Sequence, residues 1–280
     1  MTAQIAIAHS LEDLRRQVAE WRASGEKIAL VPTMGALHAG HLSLVHRARE
    51  HAERVVVSIF VNPTQFAPTE DLAEYPRTFE ADCAALDGLA DLVYAPDAAT
   101  MYPEGSCTAV ELEGPATAGL EDRFRPTHFR GVATVVAKLL IQALPDYAIF
   151  GEKDYQQLEV VSRMAQDLFI PVTILPVPTM READGLAMSS RNRYLAPAER
   201  ALAPVLHATL QHCASRIRAG EPIEPAVADA RATIEAAGFA IDYLEARDAA
   251  RLGPAVADRP IRLLVAASIG HTRLIDNVPV

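Results

Sequence analysis

The chain has little cysteine, no long apolar run and a shortage of positive charge. Its three cysteines, Cys83, Cys107 and Cys213, are odd in number, widely spaced and without a C-x-x-C pair. That excludes a disulfide framework and leaves free thiols in a reducing compartment as the expectation. No apolar run approaches the roughly 20 residues that a membrane span needs. The first residues also lack the basic-then-apolar order of a signal peptide, so a cytoplasmic protein without a membrane partner is expected. Lysine and arginine total 26 against 36 aspartates and glutamates, a formal net charge of -10. Such a balance opposes nucleic-acid binding, which runs on clustered cations that displace counterions. An anionic substrate must then meet a local cationic patch, and the candidates are Arg125, Arg130, Lys153, Arg191 and Arg193. No repeat or low-complexity tract is visible.

Half of the 280 residues are hydrophobic, enough for one large or two modest domains with cores of their own. One stretch concentrates site features: residues 30–51, LVPTMGALHAGHLSLVHRAREH. An apolar run from Ile28 breaks at Pro32 and Gly35, presents His38 and His41, then continues with helical spacing through Leu42, Leu44, Val45 and Ala48. This predicts strand, turn, helix. Two histidines three residues apart share a face of a helix or its first turn, and Gly40 beside them admits a ligand close to the backbone. First-turn amides and the positive end of the helix dipole attract anions, so a triphosphate is a natural occupant. On spacing alone the pair also fits ordinary surface or core histidines. A zinc pair would bring a further ligand at recognisable spacing, and none is evident.

Residues 10–23 carry Leu11, Leu14, Val18 and Trp21 at helical spacing behind Ser10 as N-cap, a helix packed on a sheet with Trp21 in its core. The β-branched run 54–61 predicts a buried parallel strand closing a right-handed βαβ unit. Ligands bind at the carboxyl ends of such strands, which places the amides of Asn62 and Gln65 for a polar substrate, although an Asn-Pro turn would look the same. A helix at 78–89 and a strand at 91–94 follow. Asp82 on that helix either reaches a metal ion or is a solvated carboxylate. Residues 121–130, EDRFRPTHFR, are dense in charge and aperiodic, and predict a mobile cover over an anionic site. An apolar helix is expected over 131–144 and a strand over 147–150.

That strand ends in Gly151, Glu152, Lys153 and Asp154, a cation between carboxylates that suits a phosphate and ribose hydroxyls. Gln156 and Gln157 on the next helix are read either as substrate ligands or as exposed helical glutamines. After a strand at 172–177 comes a loop in which Ser189 and Ser190 precede Arg191 and Arg193, hydroxyls and charge in one short segment. From about residue 196 the composition shifts to helices rich in Ala, Arg and Glu, then to strands at 240–245, 261–267 and 273–278. The expectation is an α/β chain with a larger domain over 1–184 and a smaller α+β domain over 185–280.

PTMGALHAGH, SIFVNPTQF, FGEKDYQQL and MSSRNRYL occur in the order and spacing of the pantoate–β-alanine ligase family, and over nearly its whole length the chain resembles that family. His38-Ala39-Gly40-His41 and Met188-Ser189-Ser190-Arg191 are similar to the HIGH and KMSKS signatures of the nucleotidyltransferase superfamily. The resemblance implies a Rossmann-like ATP- and pantoate-binding domain and ATP-dependent joining of pantoate to β-alanine through a pantoyl adenylate. It implies ATP contacts from Met34, Gly35, Ala36, Leu37, His38, Ala39, Gly40 and His41, with His41 as proton donor. Gly151, Glu152, Lys153, Asp154, Met180, Met188, Ser189, Ser190 and Arg191 would supply the remaining ATP contacts, Met180 through its backbone. Gln65 and Gln157 would hold pantoate, with Gln65 facing β-alanine as well and Asn62 nearby. Ser-Arg stands where the superfamily has lysine, so Arg191 and Lys153 would share that lysine's work. Mg²⁺ with the triphosphate and a homodimer are further implications. Rivals are an adenylyltransferase that keeps the nucleotide on its product, a tRNA-charging enzyme and a silent nucleotide-binding module.

Overall fold

In the computed structural model, described over residues 5–67, 72–256 and 258–280, strands and helices alternate as the apolar runs predict. The strands are β1 (Ala6–Ala8), β2 (Ile28–Thr33), β3 (Arg54–Ile59), β4 (Leu92–Tyr94), β5 (Tyr147–Gly151), β6 (Thr173–Val177), β7 (Ala240–Asp248), β8 (Ile261–Ile269) and β9 (Thr272–Pro279). The first five helices are α1 (Leu11–Ala23), α2 (Ala39–Arg49), α3 (Phe79–Leu86), α4 (Ala98–Met101) and α5 (Glu121–Phe124). They are followed by α6 (His128–Ala143), α7 (Tyr155–Asp167), α8 (Pro197–Leu202), α9 (Val205–Arg218) and α10 (Ile223–Ala236). The chain divides into two compact units. Unit one is Met1–Leu112, Arg125–Glu152 and Val160–Pro178; unit two is Glu113–Phe124, Lys153–Glu159 and Thr179–Val280.

In unit one, six parallel strands lie in the order β1-β4-β3-β2-β5-β6. Their central members are buried along nearly their whole length, as continuous Val/Ile/Leu runs require. Strand order reverses beside β2, which pairs with β3 on one side and β5 on the other. The carboxyl ends of β2 and β5 therefore mark the switch point where an open α/β sheet binds ligands. Helix α2 springs from the end of β2 and buries Leu44, Val45 and Ala48 in the core of this unit. Leu44 and Val45 each stabilise by about 1.5–3 kcal/mol when fully buried. Ser10 caps α1 as expected, accepting from the Asp13 amide at 3.1 Å.

In unit two, β7, β8 and β9 form an antiparallel sheet in sequence order. A core that includes Leu206 and Leu210 from α9, Ala226 and Ile234 from α10, and Leu263 and Val265 from β8 fills this unit. The expected fold class, a parallel-sheet α/β region with a smaller α+β part, is what the chain adopts. Two local expectations are corrected, and one strand is added. Strand β1 is too short for its period to show. Helix α6 begins at His128, not at 131, because Phe129 and His128 are buried on the same face as the apolar run that follows. The charged segment 121–130 is helical at both ends, and Glu121 is buried, so its first half is an anchor and not a mobile cover.

Candidate active site

The turn between β2 and α2 is held from below by one carboxylate. Asp82 is 3% exposed, and its Oδ2 and Oδ1 accept from the amides of Ala36 and Leu37 at 2.9 and 2.8 Å. The Thr78 hydroxyl donates to both oxygens at 3.1 and 3.2 Å. Gly35 and Ala36 both take positive φ, +80° and +51°. Only at Gly35 does the absence of a side chain also matter for space: a Cβ there would meet Asp82 Oδ2 at 3.0 Å and Ile59 at 3.2 Å. Asp82 is thus neither a solvated helix carboxylate nor poised for a metal. It is consumed in shaping the turn, holding Ala36 in a left-handed conformation that a non-glycine residue adopts at a cost.

The two histidines cap α2 together. Nδ1 of His38, the N-cap residue, accepts from the Gly40 amide at 3.1 Å, and Nδ1 of His41 accepts from the His38 amide at 3.3 Å. A ring nitrogen that accepts a backbone proton carries none of its own, so each neutral imidazole keeps its proton on Nε2. The rings lie 4.1 Å apart, centroid to centroid. Position, tautomer and the first-turn amides together make a donor set suited to an anion. Gly151, at the end of the neighbouring β5, lies against α2, where a Cβ would reach Leu44 at an ordinary 3.9 Å.

Gln65 sits in a short 3-10 turn at Pro63–Gln65 after β3 and is buried. Its Oε1 accepts from Asn62 Nδ2 at 3.0 Å, and its Nε2 donates to Met34 Sδ at 3.3 Å, which joins it to the first residue of the 34–41 run. Asn62 spends both amide protons, on Gln65 and on the Gly131 carbonyl. Its Oδ1 accepts from the Thr64 amide and hydroxyl and from the Tyr102 hydroxyl. Asn62 therefore orients Gln65 and has no donor left for a substrate, a correction to the expectation that both amides bind one. His128 adds support: Arg125 can only donate, so it donates to Nε2 at 3.2 Å, and the ring proton on Nδ1 goes to the Gln65 carbonyl at 3.0 Å. Gly131 permits this approach, since a Cβ there would lie 2.5 Å from the Thr64 carbonyl oxygen and 2.7 Å from the Gln65 backbone.

Glu152–Asp154 form a 3-10 turn leading into α7. Lys153 Nζ lies 3.7 Å from Asp154 Oδ2, and the Lys153 carbonyl accepts from Asn277 Nδ2 at 3.0 Å. The two glutamines of α7 part company. Gln157 is half-buried. Gln156 is buried, donates to the Pro115 carbonyl and Asp122, and accepts from the Glu121 amide. It is neither an exposed helical glutamine nor a substrate ligand. Glu121 in turn accepts from Arg273 at 2.9 and 2.8 Å and from the Tyr243 hydroxyl at 2.8 Å.

Met180 and Met188 close a hairpin, the Met188 amide donating to the Met180 carbonyl at 3.0 Å. This engagement of the Met180 backbone fits a side chain that is 41% exposed. Arg181 anchors the hairpin to Asp276 through 2.7 and 2.8 Å bonds, and Arg200 holds Glu182 and Asp184. Ser189 caps the 3-10 turn Ser190–Tyr194, its Oγ accepting from the Arg191 amide at 3.2 Å and keeping its own proton to donate. Thr179 Oγ1 and Asn192 Oδ1 are buried without a hydrogen-bond partner among the described residues. His207 Nδ1, 3.7 Å from Asp276, belongs to a ring whose pKa is lowered by burial and by Arg181, against the pull of Asp276. Glu159 is pushed up to about 7 by burial and by Asp248, with Arg262 opposing.

Sequence reasoning missed Asp82 as a turn anchor, Gly131, His128, Gln156, Arg181, Asp276 and Asn277. Gly131 beside a charged segment was a usable signal, since a helical glycine often marks close packing. The others act across tens of residues of sequence and leave no local pattern. Among the described residues, no group of three or more His, Cys, Asp or Glu side chains could hold a metal ion, and no helix is long and apolar enough to cross a membrane.

This set of elements has close counterparts. The family profile described as Pantoate-beta-alanine ligase matches residues 6–279. A pantothenate synthetase of Nitrobacter hamburgensis is 58% identical over 278 residues, with 98% of each chain covered. Among solved structures, the pantothenate synthetase of Thermus thermophilus is 45% identical, with a TM-score of 0.92 over 98% of this chain and 99% of that one. A pantoate–β-alanine ligase of Francisella tularensis, solved with β-γ ATP and β-alanine, is 33% identical with a TM-score of 0.80, covering 98% of this chain and 97% of that one. The fold, the four motifs and these likenesses agree: the chain belongs to the pantoate–β-alanine ligase family.

Proposed function

We propose that this chain condenses pantoate with β-alanine at the expense of ATP, by way of a bound pantoyl adenylate, releasing AMP and pyrophosphate. A carboxylate does not form an amide directly, because oxide is too poor a leaving group. In the first step a pantoate carboxylate oxygen attacks the α-phosphorus of ATP, and the bond from that phosphorus to the bridging oxygen breaks to release pyrophosphate. In the second, the β-alanine amine attacks the acyl carbon, the bond to the phosphate oxygen breaks, and AMP leaves while the nitrogen loses a proton. The protein's part in the first step is positioning and charge stabilisation. His38 and His41 donate from Nε2, with the amides of residues 34–41 around them. Lys153, Ser189, Ser190 and Arg191 supply the remaining donors and charge, Met180, Met188 and Gly151 to Asp154 shape the nucleotide's surroundings, and Gln65 and Gln157 hold pantoate.

The observation that carries this reading is the double histidine cap: two imidazoles fixed by backbone protons at Nδ1, each keeping a donor at Nε2. Mg²⁺ belongs to the proposal as part of the substrate, where it would offset the charge of the triphosphate. Asp82 is assigned to the turn and not to the metal. Division of labour at 184/185, a homodimer and a cytoplasmic setting complete the proposal, the last in keeping with the free thiols of Cys83, Cys107 and Cys213. The test is exchange of labelled pyrophosphate into ATP. It should require pantoate and proceed without β-alanine; absence of exchange would remove the adenylate from the mechanism.

A further inference from the structure

Two adjacent residues of β9 touch both segments of unit two that are assigned to ATP. Asn277 is 3% exposed, and its side chain faces two ways: Oδ1 accepts from Arg262 Nε at 2.7 Å, and Nδ2 donates to the Lys153 carbonyl at 3.0 Å. Asp276 is 4% exposed and binds both terminal nitrogens of Arg181, which opens the hairpin that ends at Met188. The two are joined directly, since the Asn277 amide donates to Asp276 Oδ1 at 2.7 Å. Successive residues of a strand project to opposite faces. One dipeptide can therefore hold a turn on one side and a hairpin on the other.

The turn is gripped further. Arg262 stacks over the Tyr155 ring at 4.1 Å, and the Tyr155 hydroxyl donates to the Ala249 carbonyl at 3.0 Å. The hairpin is gripped likewise, as Arg181 also donates to the Gly185 carbonyl at 3.0 Å. None of these groups reaches the reacting atoms by its own chemistry. What they share is control of backbone position: Lys153 is held by its carbonyl, and Met188 ends the hairpin that Arg181 fixes.

We propose that Asp276 and Asn277 are positioning residues for adenylate formation, setting the Lys153 turn and the Met188–Arg191 loop in register with each other. This rests on the assignment of Lys153 and Arg191 to the triphosphate. The residue types follow from the task. At 277 the side chain must accept from a guanidinium and donate to a carbonyl at once, which an amide does and a carboxylate does not. At 276 a carboxylate matches the two parallel donors of Arg181.

The diagnostic variant is Asn277→Asp, which keeps an acceptor for Arg262 but turns an anion toward the Lys153 carbonyl. Pantoate-dependent pyrophosphate–ATP exchange should fall about tenfold, the scale of one buried hydrogen bond lost and its carbonyl left unpaired. The KM for ATP should rise and the KM for β-alanine should not, a split that a loss of stability alone would not produce. In a Lys153→Ala background the same change should cost less than about twofold, because residues acting through one another are not additive. Should Asn277→Asp fold poorly, Asp276→Asn, which keeps one oxygen on Arg181, is read the same way in an Arg191→Ala background. Exchange at the wild-type rate, or an equal loss with and without Lys153, would overturn the proposal alone. A Lys153→Ala enzyme as fast as wild type would overturn the site assignment and this proposal with it.

Discussion

The two units hold their candidate residues in place by different means. In unit one the turn before α2 is shaped by short, dense backbone constraints. Asp82 grips two consecutive amides, and two histidines cap their own helix within three residues. In unit two the equivalent work is done by contacts far apart in sequence: Arg181 with Asp276, Glu121 with Arg273, and the Asn277 side-chain amide with the Lys153 carbonyl. A helix terminus supplies donors wherever a strand delivers it, so little more than local packing is needed. A loop without regular structure has no such frame, and buried charge pairs and an amide–carbonyl bond hold it instead. The first arrangement concentrates its cost in catalysis when damaged; the second spreads it into folding.

The largest effect should follow from breaking a distant pair. Glu121→Ala leaves Arg273 without its principal partner and strips the Tyr243 hydroxyl of its acceptor, so stability should fall by about 3 kcal/mol. Denaturant unfolding reads this, and an unchanged midpoint would return the 121–130 segment to the status of a loose cover. Next comes His41→Ala, which should slow adenylate formation by roughly 10²-fold or more while leaving Tm near wild type. A loss of stability with little loss of rate would reverse the contrast between the units.

Gly131→Ala should fall between these types of damage. Its Cβ would press on the backbone of Thr64 and Gln65, costing about 1–3 kcal/mol as overpacking does and raising the KM for pantoate more than that for ATP. Equal changes in both would detach Gln65 from pantoate. The last effect appears only with pH and concerns Glu159, whose carboxyl is pushed by burial from its ordinary 4.5 up to about 7. The folded protein then binds more protons than the unfolded chain between those values, so stability falls as pH rises from about 4.5 through 7. Above pH 7 Glu159→Gln should be the more stable protein by on the order of 1–3 kcal/mol, and the gap should close toward pH 4.5. A gap that is constant with pH would mean the carboxylate is not strained.

This contrast also explains what was readable in the sequence. The β2–α2 connection, the buried runs of β3 and β5, and the Ser10 cap each rest on neighbours within a few residues, where periodicity and capping preferences act. Both histidines could be placed at the start of a helix from spacing alone. Asn62 could be placed at a strand end, yet its use inside the protein depends on Gly131 and Tyr102, 69 and 40 residues away. Asp82 looked like a surface carboxylate because α3 is short and only weakly amphipathic. Gln156 and Gln157 are identical in composition and adjacent in sequence, and only the packing of Pro115 and Asp122 against the first separates them.

The proposed function turns on one claim, that His41, Lys153 and Arg191 serve the same triphosphate. A structure determined with pantoate and a non-hydrolysable ATP analogue tests it directly. His41 Nε2, Lys153 Nζ and the Arg191 guanidinium should each lie within about 3.5 Å of phosphate oxygens of the same nucleotide. A nucleotide touched by only one of the three, with the others facing separate cavities, would contradict it.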